Sequence, residues 1–365
     1  MLKIVLGLLA FIALLPLGIL FAFRGKNHSQ FDHPRPVPKD GSDKETAQHY
    51  AIVRLVLKDR ADTPKLDRKA TLHHMRETMD QRGLSYEINA RIVPVAVDDI
   101  EGEWVIAGNA DPKRRVLYIH GGAYMVGSPQ SHRLITSRMS AHTNAAVLVV
   151  DYRLMPENSR LAGVEDCQKA YCWVLENGPD GESDADALIV AGDSSGGNIA
   201  LSIAAWARDA KLKSADAIVV FSPQTDLTLA SPSLVANVDS DIMQGASFGP
   251  IVKAPRFVGL GFSFLMHRIN PKRSIVSPLL GDLSGLPPTL VQVSGVEMFL
   301  DDANRYVNKA NAQGSTAVLQ VWPFAMHVWQ AFQIPEADEA FEAVEMFIAT
   351  QTAVETQDNV TIDGS

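Results

Sequence analysis

Short apolar runs recur along most of this chain, and between them apolar residues fall at helical spacing. Runs of four or five residues stand at Val116–Ile119, Ala146–Val150, Leu188–Ala191, Ile218–Phe221, Leu290–Val293 and Val318–Val321, lengths suited to strands buried on both faces. The alternation of strand and helix predicts an α/β fold, a largely parallel sheet flanked by helices. Ahead of it, Ala47–Leu57 and Leu66–Met79 read as two helices with a break at Asp62-Thr-Pro64, and Ser85–Val97 and Glu103–Ala107 as paired strands. More than sixty residues separate Phe221 from Leu290, far beyond the dozen or so that a crossover needs. An inserted cap over the sheet's carboxyl end accounts for them.

The N-terminus follows another pattern. No charged residue occurs from Ile4 to Phe23, and about twenty helical residues at 1.5 Å each span a bilayer's hydrocarbon core. The segment 1–23 reads as an uncleaved membrane anchor. The other readings are a cleaved signal, for which no convincing cleavage site follows, and a helix buried against the protein or a partner. The side of the membrane is not decided, since Lys3 and the amino terminus balance Arg24 and Lys26. Residues 24–44 contain Pro34, Pro36 and Pro38 and read as an extended linker holding the folded part away from the membrane. The folded part then covers 45–350, and 351–365 is a polar tail.

Composition narrows the function. At 365 residues and 46% hydrophobic content the chain can bury a sizeable core. A net charge of −9 without a basic block excludes a nucleic-acid footprint and adhesion to anionic lipid by charge alone. Cys167 and Cys172 stand five apart in a helical stretch, so they read as packing residues and not as a disulfide. The ten histidines show no metal-ligand spacing, and no metal or cofactor is called for.

Two glycine-rich breaks carry chemistry. The run Ala187-Leu-Ile-Val-Ala-Gly-Asp-Ser-Ser-Gly-Gly-Asn198 is a strand that turns into a helix at Ser194, with Gly192 and Gly196 leaving room for a sharp turn. A serine there is exposed, and the helix N-terminus favours an anionic intermediate. After Val116–Ile119 comes His120-Gly121-Gly122-Ala123-Tyr124, whose glycines let backbone N–H groups turn toward a substrate oxygen. His120 itself reads as a brace for the loop.

With Asp151-Tyr-Arg-Leu-Met-Pro-Glu157, Ser222-Pro-Gln-Thr-Asp226, Ser277-Pro278 and Leu286-Pro-Pro288 in the same order, the chain resembles the hormone-sensitive-lipase-like branch of the α/β-hydrolases, the GDXG esterase family. The likeness runs from about Ala47 to Ala349. It implies an α/β-hydrolase fold with a helical cap, from about 45–84 plus 227–275, and a triad in the chain order Ser, Asp or Glu, His. Ser194 takes the nucleophile position, and His327, in Pro323-Phe-Ala-Met-His-Val-Trp329, the histidine position. The loop Gly295-Val-Glu297-Met-Phe-Leu-Asp301-Asp302 offers three carboxylates; Glu297 matches the acid position, while Asp301 and Asp302 open a helix and suit its positive end. Gly121, Gly122 and Ser195 are the implied oxyanion donors. Ala123, Ser195 and Arg160-Leu161 depart from the commonest pattern and bear on pocket shape, and Asp151 and Arg153 read as braces beneath the oxyanion loop.

The resemblance thus implies a cofactor-independent serine carboxylic ester hydrolase for small to medium acyl esters. A lactone hydrolase with the same triad and a silent ligand-binding protein are the alternatives, the second opposed by His327. The partners implied are a small-molecule ester and the membrane, with a homodimer left open.

Overall fold

The computed structural model describes residues 14–38, 46–62 and 66–360, with side chains for all of these but Asp62 and 352–360. Two helices, α1 (Ala47–Asp62) and α2 (Arg68–Ser85), lead into a hairpin of β1 (Ala90–Val97) and β2 (Ile100–Ala107). Strand β1 begins five residues later than the sequence pattern suggests. Helix α2 continues to Ser85 because it packs on the body, where a Cβ at Gly83 would lie 2.3 Å from the Gln130 carbonyl oxygen.

The alternating part follows. Strands β3 (Asp111–Ile119), β4 (Ala145–Val150), β5 (Ala187–Asp193), β6 (Ala217–Phe221), β7 (Thr289–Ser294) and β8 (Ala317–Trp322) are each a run the pattern marks. They are interleaved with α3 (Arg133–Thr143), α4 (Arg160–Glu176) and α5 (Ser194–Asp209), and later α9 (Leu300–Ala312) and α10 (Pro335–Val360). The sheet order is β1-β2-β4-β3-β5-β6-β7-β8. The first two pairings are antiparallel and the rest parallel. Every residue of β4, β6 and β7 is buried, and one apolar cluster lies on each face of the sheet. That two-sided burial is why these strands read as unbroken apolar runs.

Between β6 and β7 the chain forms α6 (Ser233–Ala236), α7 (Gly245–Val252) and α8 (Arg256–His267). Helices α7 and α8 roof the carboxyl end of the sheet. Helix α1 packs through Ile52 and Val53 beside Trp322, Ala325 and Met326 and against Ile242 and Met243 of the inserted segment, where Arg60 donates to the Met243 carbonyl at 3.0 Å. Helix α2 is held by Arg76, which donates to the carbonyls of Met125 and Met155 and pairs with Glu157.

The N-terminal segment departs from the expected free linker. Asp32 pairs with Arg305 at 2.6 Å and Arg35 with Asp301 at 3.1 Å. Asn304 and Asn308 donate to the carbonyls of Asp32, Phe31 and Pro34, and Pro38 bridges Val321 on the edge strand β8. Residues 24–38 turn through a short 3-10 helix at Ser29–Phe31 and are strapped across α9 instead of extending freely. The partners that hold them lie some 270 residues away in sequence, beyond the reach of a local pattern.

Residues 14–23 are helical and lean on α8, with Phe23 stacked on Phe264 at 4.6 Å between ring centroids. The remainder of the uncharged run, 1–13, lies outside the described residues. Among the described residues no helix is long and apolar enough to cross a membrane. Cys167 is buried as expected, but Cys172 is exposed; both are free thiols.

Candidate active site

Strand β5 ends at Asp193 and α5 begins at Ser194, whose φ of 51° is left-handed. Such a turn works only if its neighbours vanish sterically. A Cβ at Gly196 would lie 2.0 Å from the Ile119 carbonyl oxygen, and one at Gly192 would lie 2.6 Å from the same atom. The glycines thus let the elbow seat against the end of β3 while the serine takes the strained backbone.

Two loops from later strands close on this serine. His327, after β8, places Nε2 3.0 Å from Ser194 Oγ, and its Nδ1 lies 3.4 Å from Glu297 Oε2 in the loop after β7. All three side chains are buried. Ser222, at the end of β6, donates to Glu297 Oε2 at 2.8 Å and accepts from the Val328 amide at 3.2 Å, tying the acid loop to the histidine loop.

Burial pushes the Glu297 carboxyl upward, and the imidazole beside it only partly opposes this. In His327 burial works downward, but the Glu297 carboxylate, joined by Asp241 and Asp193, opposes it and the net shift is up. The pair therefore holds its proton more tightly than an isolated imidazole would. A second carboxylate stands behind it. Asp241, from the cap, accepts from the amides of Met243, Gln244 and Met298, so one side chain fastens the cap to the residue after Glu297.

The oxyanion loop differs in detail from expectation. The Gly121 amide donates to Asp193 Oδ1 at 3.0 Å, so it is occupied and drops out of the donor set. Tyr124 donates its amide to Ser195 Oγ at 3.3 Å. Gly122 and Ala123, with φ of 117° and 53°, form the turn between them, and Ala123 and Ser195 line the cavity beside Ser194. The methyl that replaces a third glycine thus sits in the wall of that cavity.

What braces this loop is Asp193, which the sequence reading passed over. It accepts from the Tyr118 hydroxyl at 2.8 Å and lies 3.4 Å from His132 Nε2. Burial would raise its pKa, but His132 and Tyr118 hold it below the usual carboxylate range. His120 contributes as a brace: its ring stacks on Tyr152 at 4.3 Å and Nδ1 lies 2.9 Å from the Gly121 carbonyl. Burial lowers its pKa to about 3, which keeps it neutral. Asp151 and Arg153 do not share this role. Asp151 is exposed, and Arg153 pairs with Asp166 at 2.7 Å on α4.

Asp301 and Asp302 do open α9, yet neither approaches the imidazole as a partner. Asp302 accepts from the amides of Thr225 and Asp226 and from Ser231, and Asp301 accepts from the Ser233 amide. They fasten the start of the cap to α9.

The cavity at Ser194 has about 600 Å³ of empty volume, part of it open to solvent, and its walls are mainly apolar. Leu227 and Leu229 come from the chain entering the cap, Phe248, Ile251 and Val252 from α7, Phe262 and Met266 from α8, and Phe299 from the acid loop. Arg160 is buried behind it, with its guanidinium 3.7 Å from the centre of the Tyr124 ring and donating to Asn198 at 2.8 Å.

Comparison with known proteins gives one answer. Residues 116–331 match a family model described as an alpha/beta hydrolase fold. The chain is 34% identical over 261 residues to an acetyl-hydrolase of Streptomyces hygroscopicus, covering 71% of this chain and 82% of that one. An esterase of Acinetobacter venetianus is 29% identical, with 83% and 96% covered. Among solved structures, an esterase from the bacterial hormone-sensitive lipase family superposes with a TM-score of 0.72 at 30% identity, covering 84% of this chain and 99% of that one. The chain belongs to the hormone-sensitive-lipase-like branch of the α/β-hydrolases, a branch of ester hydrolases.

Proposed function

We propose that the chain hydrolyses small to medium acyl esters through an acyl-enzyme on Ser194. The observation that carries this reading is the 3.0 Å approach of His327 Nε2 to Ser194 Oγ, with Glu297 on the far ring nitrogen. In the first step His327 takes the hydroxyl proton as Oγ bonds to the ester carbonyl carbon, and Glu297 fixes the tautomer and stabilises the imidazolium. The carbonyl oxygen becomes an oxyanion beside the N-terminus of α5, where the Ser195 amide and the amides of Gly122 and Ala123 receive it. The intermediate collapses as the C–O bond to the alcohol breaks, and His327 returns the proton to the departing alkoxide. Water, deprotonated by the same imidazole, then releases the acid and regenerates the serine.

The size and apolar walls of the cavity support acyl groups of short to medium length. A silent binding protein would have no use for a base at hydrogen-bonding distance from an elbow serine. The test is a series of chromogenic esters, acetyl to lauroyl, given to the wild type and to Ser194→Ala. Turnover should peak at short or medium chains and fall on the order of a millionfold in the variant. A variant within tenfold of wild type would refute the reading.

A further inference from the structure

The cavity wall and the N-terminal helix meet on the outside of the molecule. Phe23 stacks on Phe264 of α8, and a methyl at Gly261 would lie 3.8 Å from Ile19. Around this joint the surface is apolar: Leu17 is 62% exposed, Phe21 91% and Leu265 73%. Val258, Phe262 and Leu265 form a stripe along α8 at helical spacing, and Phe262 also lines the cavity next to Ser194. One helix thus separates the reacting serine from the exposed patch.

The charge on these segments sets them apart. The chain carries a net −9, yet there is no Asp or Glu before Asp32, and none between Asp241 and Asp282. Those stretches instead hold Lys3, Arg24 and Lys26, and Lys253, Arg256, Arg268, Lys272 and Arg273. Arg268, Lys272 and Arg273 are exposed and make no ion pair among the described residues. An apolar strip edged mainly by cations, of which among the described residues Lys253 alone pairs with an acid, Asp239, at 2.8 Å, is complementary to anionic headgroups over acyl chains. It is a poor face for a second copy, since a two-fold axis would set the unpaired Arg268, Lys272 and Arg273 against their own copies. The sequence that precedes residue 14 prolongs the apolar run as far as Ile4.

We propose that residues 14–23 and α8 form one lipid-docking face, which holds the cavity against an anionic bilayer so that esters dissolved in the lipid enter it directly. The substrate assignment rests on the hydrolase reading above; the docking face does not. Docking would explain why the strap of residues 24–38 is fixed to the body. It keeps the helix of residues 14–23 beside the cavity wall.

The test uses the full-length chain and vesicles of phosphatidylcholine with about one part phosphatidylglycerol in three. Leu265→Trp places an indole on α8, and brominated acyl chains should quench the added emission in these vesicles, less so at high salt. Leu265→Asp should hydrolyse a soluble acetyl ester within about twofold of wild type, because Leu265 lies outside the lining of the Ser194 cavity, but lose at least about tenfold on an acyl ester embedded in the vesicles. Absence of quenching at the added tryptophan would overturn the proposal, as would equal turnover of the embedded ester. A dimer that Leu265→Asp dissociates and that ignores vesicles would assign the face to a second copy instead. Quenching without hydrolysis of either ester would uphold the docking face and sink the hydrolase reading.

Discussion

The Gly121 amide donates its hydrogen to the Asp193 carboxylate, the residue immediately before the elbow serine, at 3.0 Å. One carboxylate thus joins the strand that presents Ser194 to the loop that receives the substrate oxygen. A Cβ at Gly121 would lie 2.1 Å from Asp193 Oδ2, so the glycine is needed for this closeness. Asp193→Asn keeps an acceptor but turns an amide toward donors. We expect kcat to fall roughly ten- to a hundredfold with KM nearly unchanged, because the donors that act in the transition state shift while the cavity does not. Urea unfolding should show a loss of about 1–3 kcal/mol for the poorly matched buried donors. Unchanged kcat in a folded Asp193→Asn protein would contradict the link.

The raised proton affinity of His327 fixes the acid limb of the pH profile. The imidazole must be neutral to take the serine proton, so kcat/KM should rise with pH through a midpoint above the ordinary histidine value of about 6.5 and fall away below it. Since the Glu297 carboxylate drives the upward shift, Glu297→Gln should move that midpoint down while cutting kcat by up to roughly ten-thousandfold. An unmoved midpoint would place the acid elsewhere.

Asp302 has a different pH signature. Burial, then the nearby Asp226, raises its pKa to about 7. A carboxyl whose folded pKa lies above its unfolded value contributes stability that is fully present below the unfolded pKa of about 4 and lost as pH rises through the folded one. Unfolding free energy should therefore decline from about pH 4 to pH 7, and Asp302→Asn should flatten that decline while ester turnover survives. Denaturant titrations across this range decide it. The same slope in the variant would exclude Asp302 as its source.

Most of the site was legible because its cues are local. The elbow glycines, the His-Gly-Gly turn and the strand runs are set by steric need and two-sided burial within a few residues, and the histidine and acid loops follow strands that the pattern marks. What escaped notice depends on distant partners. Asp193 is an ordinary residue in its motif until Tyr118, His132 and the Gly121 amide converge on it. Proline content suggests a free extended linker at 24–44, whereas the docking of residues 24–38 depends on Arg305 and Asn308 of α9. The joint between Phe23 and Phe264 likewise has no local signature.

The central claim is that Ser194 is the atom acylated during turnover. Brief exposure of the wild type to a fluorophosphonate, followed by intact-protein and peptide mass spectrometry, reads this directly. The account predicts one adduct, on the peptide carrying Ser194, absent from Ser194→Ala and formed at least a thousandfold more slowly in His327→Ala, as loss of the general base demands. An adduct on another residue, or none in a protein that still hydrolyses esters, would contradict it.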